Sequence, residues 1–392
     1  MFKIAVACSE DLDTEDAIEE ILGMCTDQLG DTIPDAGLVF CGTDFDHQLV
    51  IDQIIGRYPE LQLIGCTTDG EMSSCEGYTE DAITLTLICS DSIEFSAGFG
   101  KNAGAEPVQA STDAVKLAAA NLKSAAKLAL VLPDGLTTNA YQILDGFNDA
   151  LGGDIPVVGG MSADRVVENK ESWSTYQFYG NQVLSDAVPV LLFGGPLIYS
   201  LGVESGWSPI GKKSRVTRVE SNVLYELDGK PAFELYTHYL GDVMRDNMSG
   251  LGSYPLAVYE EGLDKFYLRV ARDADPATGT ITFLGEIPDG ANVQITQAIR
   301  DEVIDGVRQS VKSAMSKYPG KSPAMAMMFS CTGRKIALGT KTKEEFIKAQ
   351  EGIDMPIPMT GFYTFGEIGP VSGHTQARYH NTTFVTLLLG EA

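Results

Sequence analysis

The chain has 392 residues and a formal net charge of −26, a length suited to two domains and a charge that repels nucleic-acid phosphates and anionic membrane surfaces. Its 44% hydrophobic and 21% charged residues give the composition of a soluble globular protein. Seven cysteines, at 8, 25, 41, 66, 75, 89 and 331, are odd in number and include no C-x-x-C pair; this excludes a disulfide framework and a zinc site and implies a reducing, cytoplasmic compartment.

In chain order, residues 4–8 form the expected first strand, too short for a signal segment. Residues 14–29 are a helix, with Ala17, Ile18, Ile21 and Leu22 at helical spacing. Residues 38–41 are a strand ending in Gly42-Thr43; a helix through 51–58 and a second strand lead to Gly65. Residues 83–89 and 93–98 predict an antiparallel pair around Asp91-Ser92. An alanine-rich helix over 108–122 precedes a strand at 128–132, a helix at 140–151 and a strand at 156–158, which runs into Gly159-Gly160-Met161-Ser162-Ala163-Asp164.

Strands dominate 175–204. The uncharged run 187–203 is too short to span a bilayer, so no membrane insertion is expected, and its Gly194-Gly195-Pro196 joins two buried strands. The phrase Gly206-Trp207-Ser208-Pro209-Ile210-Gly211 marks the expected boundary, giving domains 1–205 and 206–392. Beyond it come β stretches at 215–227 and 266–295, a short helix at 232–240 and a long one at 298–317. A strand over 324–330 ends in Cys331-Thr332-Gly333-Arg334; a helix near 343–350 leads to Gly361, and 381–389 is the closing strand.

One phrase occurs twice. Gly65-Cys66-Thr67-Thr68-Asp69-Gly70-Glu71-Met72 and Gly361-Phe362-Tyr363-Thr364-Phe365-Gly366-Glu367-Ile368 both read G-x-x-T-x-G-E-apolar. Each closes a strand–helix–strand unit with a glycine-rich tip, and 128–164 is a third such unit. Three ordered units imply an internal repeat and an α/β fold of mixed α+β character. Two domains with mixed β-sheets flanked by helices are expected, with the three tips converging at strand ends where ligands bind.

The ordered phrases at 64–72, 157–164, 206–211 with Val216-Thr217, Glu226–Ala232, Phe329–Arg334 and Gly361–Pro370 with His380-Asn381 resemble the FIST family, with its N-terminal and C-terminal domains. No room remains ahead of Phe2 for an F-box, so the resemblance is to the stand-alone prokaryotic form. It implies an intracellular sensory protein that binds small ligands, amino acids or related metabolites. Its output would pass to a separate histidine kinase, chemotaxis receptor or cyclic-dinucleotide enzyme, because no such segment is fused here.

The candidate ligand residues are Cys66, Thr68, Glu71, Gly160, Asp164, Cys331, Arg334, Thr364 and Glu367. A guanidinium such as Arg334 suits a carboxylate, and Glu71 or Glu367 suits an ammonium; the same side chains equally suit an internal ion pair and bonds to their own glycine turns. Trp207 reads as a pocket wall or an interdomain anchor. Two other readings stand beside the sensor. One is a cysteine-dependent hydrolase or amidase using Cys331 or Cys66, for which none of the four histidines is adjacent in sequence. The other is a protein-interaction scaffold. No nucleotide, EF-hand or metalloprotease motif is present, so no cofactor, metal or catalytic residue is expected.

Overall fold

A computed structural model describes residues 2–166, 172–241, 244, 248–371 and 376–392. His374 lies outside them. Eight α-helices and several mixed sheets among the described residues make the expected mixed α/β architecture.

Helix starts are set by local chemistry. Asp13 accepts from the Glu15 and Asp16 amides ahead of Thr14–Leu29, and Asn139 does the same for Tyr141 and Gln142 ahead of Ala140–Leu151. These side chains satisfy amides that the first helical turn leaves without partners.

Three six-stranded sheets share one plan. In the first, Phe2–Ser9, Ile83–Ser90, Ala36–Cys41 and Gln62–Thr67 lie side by side. The second repeats this with Glu94–Lys101, Ala187–Gly194, Ala126–Val131 and Val157–Gly160. The third uses Leu197–Glu204, Phe384–Glu391, Met325–Cys331 and Met359–Thr364. In each, the last two strands are parallel and the other neighbours antiparallel. The parallel strands are joined by His47–Arg57, by Ala140–Leu151, and by Thr332–Leu338 with Glu344–Ile353.

Each sheet is completed by strands from another unit. The Glu71–Ser73 and Gly77–Thr79 hairpin joins the third sheet, Gln177–Tyr179 and Gln182–Leu184 join the first, and Glu367–Pro370 and Ala377–His380 join the second. The exchange is cyclic, so no unit has a complete sheet alone.

The expected antiparallel pair at 83–89 and 93–98 does not form. Ile83–Ser90 lies in the first sheet and Glu94–Lys101 in the second. The turn between them hands the chain from sheet to sheet, as Gly195-Pro196 does between the second and third. A local turn signal does not say whether the strands it joins are partners.

Glycine marks the same place in each unit. A Cβ on Gly65, Gly159 or Gly361 would lie 2.1, 2.0 or 2.1 Å from the carbonyl oxygen of Val39, Val131 or Met328, the facing residue on the parallel strand. Only hydrogen fits there. The structural counterpart of Gly65 and Gly361 is therefore Gly159, and Gly160 aligns with Cys66 and Phe362.

The inner faces of the three sheets form one core, with Phe40, Ile64 and Cys66 from the first unit, Leu130 and Phe193 from the second, and Phe329 and Phe362 from the third. Helices cover the outer faces. The third unit alone carries a large insertion. Between Leu197–Glu204 and the helix Arg300–Lys317 lies a nine-stranded assembly running from Trp207–Pro209 to Asn292–Ala298, with its own core around Phe233, Tyr236, Leu256, Phe283 and Ile295. Among the described residues, no helix is long and apolar enough to cross a membrane.

Candidate functional site

The three tips meet. Ala163 donates its amide to Thr67 O (2.9 Å), Met161 to Gly366 O (2.9 Å) and Asp69 to Tyr363 O (3.0 Å), which closes a ring of contacts through all three units. Thr364 Oγ1 donates to Met161 O at 2.6 Å and accepts from the Gly366 amide. Gly160 makes this possible, since a Cβ there would lie 2.9 Å from Thr364 Oγ1.

At the first tip Glu71 is fully buried. Thr68 donates its hydroxyl to Oε1, and the Ala82 amide donates to Oε2 at 3.3 Å. Burial pushes the carboxyl up to about 8, against the opposing pull of those two bonds. Asp164 accepts from the Thr43 hydroxyl (2.7 Å) and from the Arg165 and Ser174 amides. Cys66 belongs to the central core, and burial drives its thiol well above the ordinary range.

Two ion clusters border this tip. Lys335 Nζ contacts Asp69 Oδ1 (2.9 Å), Asp69 O (2.7 Å) and Glu80 (3.2 Å); Arg165 contacts Asp44 (2.7 Å) and Asp81 (2.9 Å). They enclose a polar cavity of about 10 Å³, room for about one water. Sequence reasoning missed Asp69 and Lys335. Asp69 stands inside the first copy of the doubled phrase, and Lys335 directly after Cys331-Thr332-Gly333-Arg334. The signal was a charged residue at Asp69 where the other copy has Phe365.

The third tip reuses the burial and changes the partners. Glu367 is fully buried and accepts from the Thr383 hydroxyl (2.6 Å) and amide (2.8 Å). Burial again lifts the carboxyl to about 8, while Thr383 and the nearby Cys331 thiol hold it down. Burial also raises the Cys331 thiol well above its usual range, and the Glu367 charge adds to this. The described histidines closest to the tips are engaged elsewhere: His47 and His380 pair through Nε2 with Gly42 O and Gly369 O.

Arg334 is wholly buried. Its Nε and one terminal nitrogen reach Glu345 Oε1 at 2.8 and 2.7 Å, and it also donates to Val303 O (2.7 Å), Ser205 O and Thr382 O. The guanidinium ties the third tip to the start of the insertion. Trp207 packs against it with Ala257 and Leu268 of the insertion and Val303, Ile304 and Leu338 of the third unit; all lie within 206–392, so Trp207 anchors the insertion to the third unit rather than one expected domain to the other.

Trp207 is also a pocket wall. A cleft of about 560 Å³ opens where the insertion meets the third unit, lined by Ser205, Trp207, Phe266, Glu302, His380 and Thr383 among others. Burial lowers His380 to about 4, which leaves it neutral. The cleft rests directly on two expected site residues, since Ser205 accepts from Arg334 and Thr383 donates to Glu367.

A model of the FIST N domain matches residues 35–230, and one of the FIST C domain matches residues 232–370. The chain belongs to the FIST family. FIST domains are sensory domains of signal transduction that bind small ligands. An uncharacterized protein of Mycobacterium tuberculosis is 28% identical to this FIST chain over 260 residues, 64% of this chain and 66% of that one, a little under two thirds of its length. An uncharacterized protein of Methanocaldococcus jannaschii is 28% identical over 218 residues, 52% of this chain and 40% of that one. Among solved structures, cyanuric acid hydrolase from A. caulinodans matches at 9% identity and a TM-score of 0.36, covering 100% of this chain and 99% of that one. T. maritima PurL with ADP matches at 14% identity and a TM-score of 0.24, covering 100% and 71%. These two structural likenesses carry no functional information.

Proposed function

We propose that this FIST protein is a cytoplasmic sensor that holds an amino acid or related small metabolite in the cleft beside Trp207. Its output passes to a separate partner of the histidine kinase, chemotaxis receptor or cyclic-dinucleotide enzyme type. The observation that carries this reading is a 560 Å³ cleft, a ligand-sized volume, whose rim residues Ser205 and Thr383 bond straight to buried charged side chains. Arg334 and Glu367 thus support the site from beneath. Thr68, Glu71, Gly160, Asp164 and Thr364 hold the converging tips on which the third unit is built. A ligand bridging insertion and third unit favours one relative placement of the two, which is what an output partner would read.

The hydrolase reading draws less support, because both candidate thiols are buried and driven toward the protonated form. The scaffold reading leaves the cleft without a use. The test is a thermal-shift screen against amino acids and related metabolites. A ligand at 100 times its Kd adds about 2.7 kcal/mol of stability, a shift readily seen. Absence of any shift, or amide hydrolysis abolished by Cys331→Ala, would overturn the proposal.

A further inference from the structure

The cleft is electrically one-sided. Among the described residues, Glu204, Asp264, Glu302 and Asp305 line it, against Lys265 alone of the lysines and arginines. Lys265 is bound to Glu204, which leaves Asp264, Glu302 and Asp305 as the excess. Glu302 Oε2 accepts from the Ser208 hydroxyl at 2.5 Å, and Asp305 Oδ2 accepts from the Gln309 amide at 2.6 Å. Neutral donors hold these two carboxylates in place without cancelling their charge. The guanidinium of Arg308 reaches Asp305 at a marginal 3.8 Å and is half exposed. Spacing explains the alignment: residues three and four apart share one face of a helix, so Glu302, Asp305 and Gln309 of Arg300–Lys317 all turn toward the opening.

The cleft lining is also aromatic, with Trp207, Tyr259, Phe266 and Tyr267. One of these rings already meets a cation: Lys213, outside the cleft lining, places its ammonium 3.4 Å from the centre of the Tyr259 ring. The Trp207 indole N–H, buried in this lining, has no hydrogen-bond partner among the described residues.

Resting on the cleft as the ligand site, we infer that its ligand is a small aliphatic ammonium compound of net positive charge. Glu302 and Asp305 take its ammonium group, and its hydrocarbon lies on Phe266 and Trp207. A neutral amino acid supplies one ammonium but adds a carboxylate to a cleft that already repels one; an acidic amino acid adds two.

The experiment is calorimetry and thermal shift on the full chain with the twenty standard amino acids and putrescine, at low and high salt. L-lysine and putrescine bind at least tenfold more tightly than L-leucine, L-glutamate does not bind, and the affinity for the cations falls as salt rises. The Glu302→Gln and Asp305→Asn variants, checked for folding by circular dichroism, lose about 10- to 100-fold in affinity for L-lysine, as expected for one charge-assisted bond each. Binding of L-leucine or L-glutamate as tight as that of L-lysine, or affinity untouched in both folded variants, overturns the charge inference and leaves the cleft reading standing. If none of the probes binds, the cleft reading falls and takes this inference with it.

Discussion

The first and third units carry the same phrase and bury the same carboxylate, yet among the described residues the third borders a ligand-sized space and the first a cavity of about 10 Å³. Glu71 and Glu367 are both fully buried and both raised to about 8 by desolvation. The difference lies in the connection that leaves each unit's first strand. In the first unit residues 10–13 lead straight into helix Thr14–Leu29, whereas in the third the nine-stranded insertion intervenes before Arg300–Lys317. The first tip therefore holds a 10 Å³ cavity bordered by ion pairs, and the third opens beside a 560 Å³ cleft. A repeated scaffold supplies the tips; the insertion supplies the room.

If the repeat is the true frame, its glycines must be equally intolerant. Gly65→Val, Gly159→Val and Gly361→Val each force a side chain to about 2 Å from a strand carbonyl. Each should abolish soluble folded protein, read by yield and circular dichroism. A folded Gly159→Val protein would break the equivalence of the second unit. Gly160→Ala first meets the Thr364 side chain rather than a backbone carbonyl and should be milder.

Arg334 separates the tips next. Arg334→Met strands Glu345 as an unpaired buried charge, which costs about 3–5 kcal/mol. Lys335→Met at the first tip, where the lysine is partly exposed and shared between Asp69 and Glu80, should cost much less. The double variant Arg334→Met with Glu345→Leu should recover part of the loss in denaturant titrations.

The two raised carboxyls predict alkaline sensitivity. A carboxyl at about 8 in the folded state and about 4.3 unfolded favours folding while protonated. That contribution is complete below about pH 4.3 and is lost as pH rises toward 8, with a slope approaching about 1.4 kcal/mol per pH unit for each group. Stability should fall between pH 5 and 8, and Glu71→Gln and Glu367→Gln should each flatten the decline. An unchanged pH profile in both variants would show that neither carboxyl is protonated in the fold.

The smallest effect is the most discriminating. Thr68→Val and Thr383→Val each remove a hydroxyl from a buried carboxyl, at about 1–3 kcal/mol. Thr383 lines the cleft and Thr68 does not, so only Thr383→Val should also weaken the thermal shift produced by ligand. Equal loss of ligand response in both variants would place the site at the tips.

Some of this was legible because it is local. Helices Thr14–Leu29 and Ala140–Leu151 run where the apolar spacing put them, since Asp13 and Asn139 cap their own next residues. The doubled G-x-x-T-x-G-E phrase disclosed the repeat, because the close approach at Gly65 and Gly361 admits no other residue. The raised thiols of Cys66 and Cys331 were not legible, since burial depends on sheets that meet only after folding.

The sequence by itself determined the fold class, the three units and the glycine-rich tips, which rest on local patterns, and the family, which rests on a resemblance carried by ordered phrases along the chain. Tertiary structure alone decided the exchange of ribbons between sheets, the choice of Gly159 over Gly160 and the separation of 83–90 from 94–101. It also decided the candidate site. The cleft draws on residues from Val203 to Thr383, and nothing in their spacing announces that Glu302, Lys265 and Trp207 border one space. Pairing partners and cavity walls are set by which surfaces exclude water together, and that is a property of the packed chain.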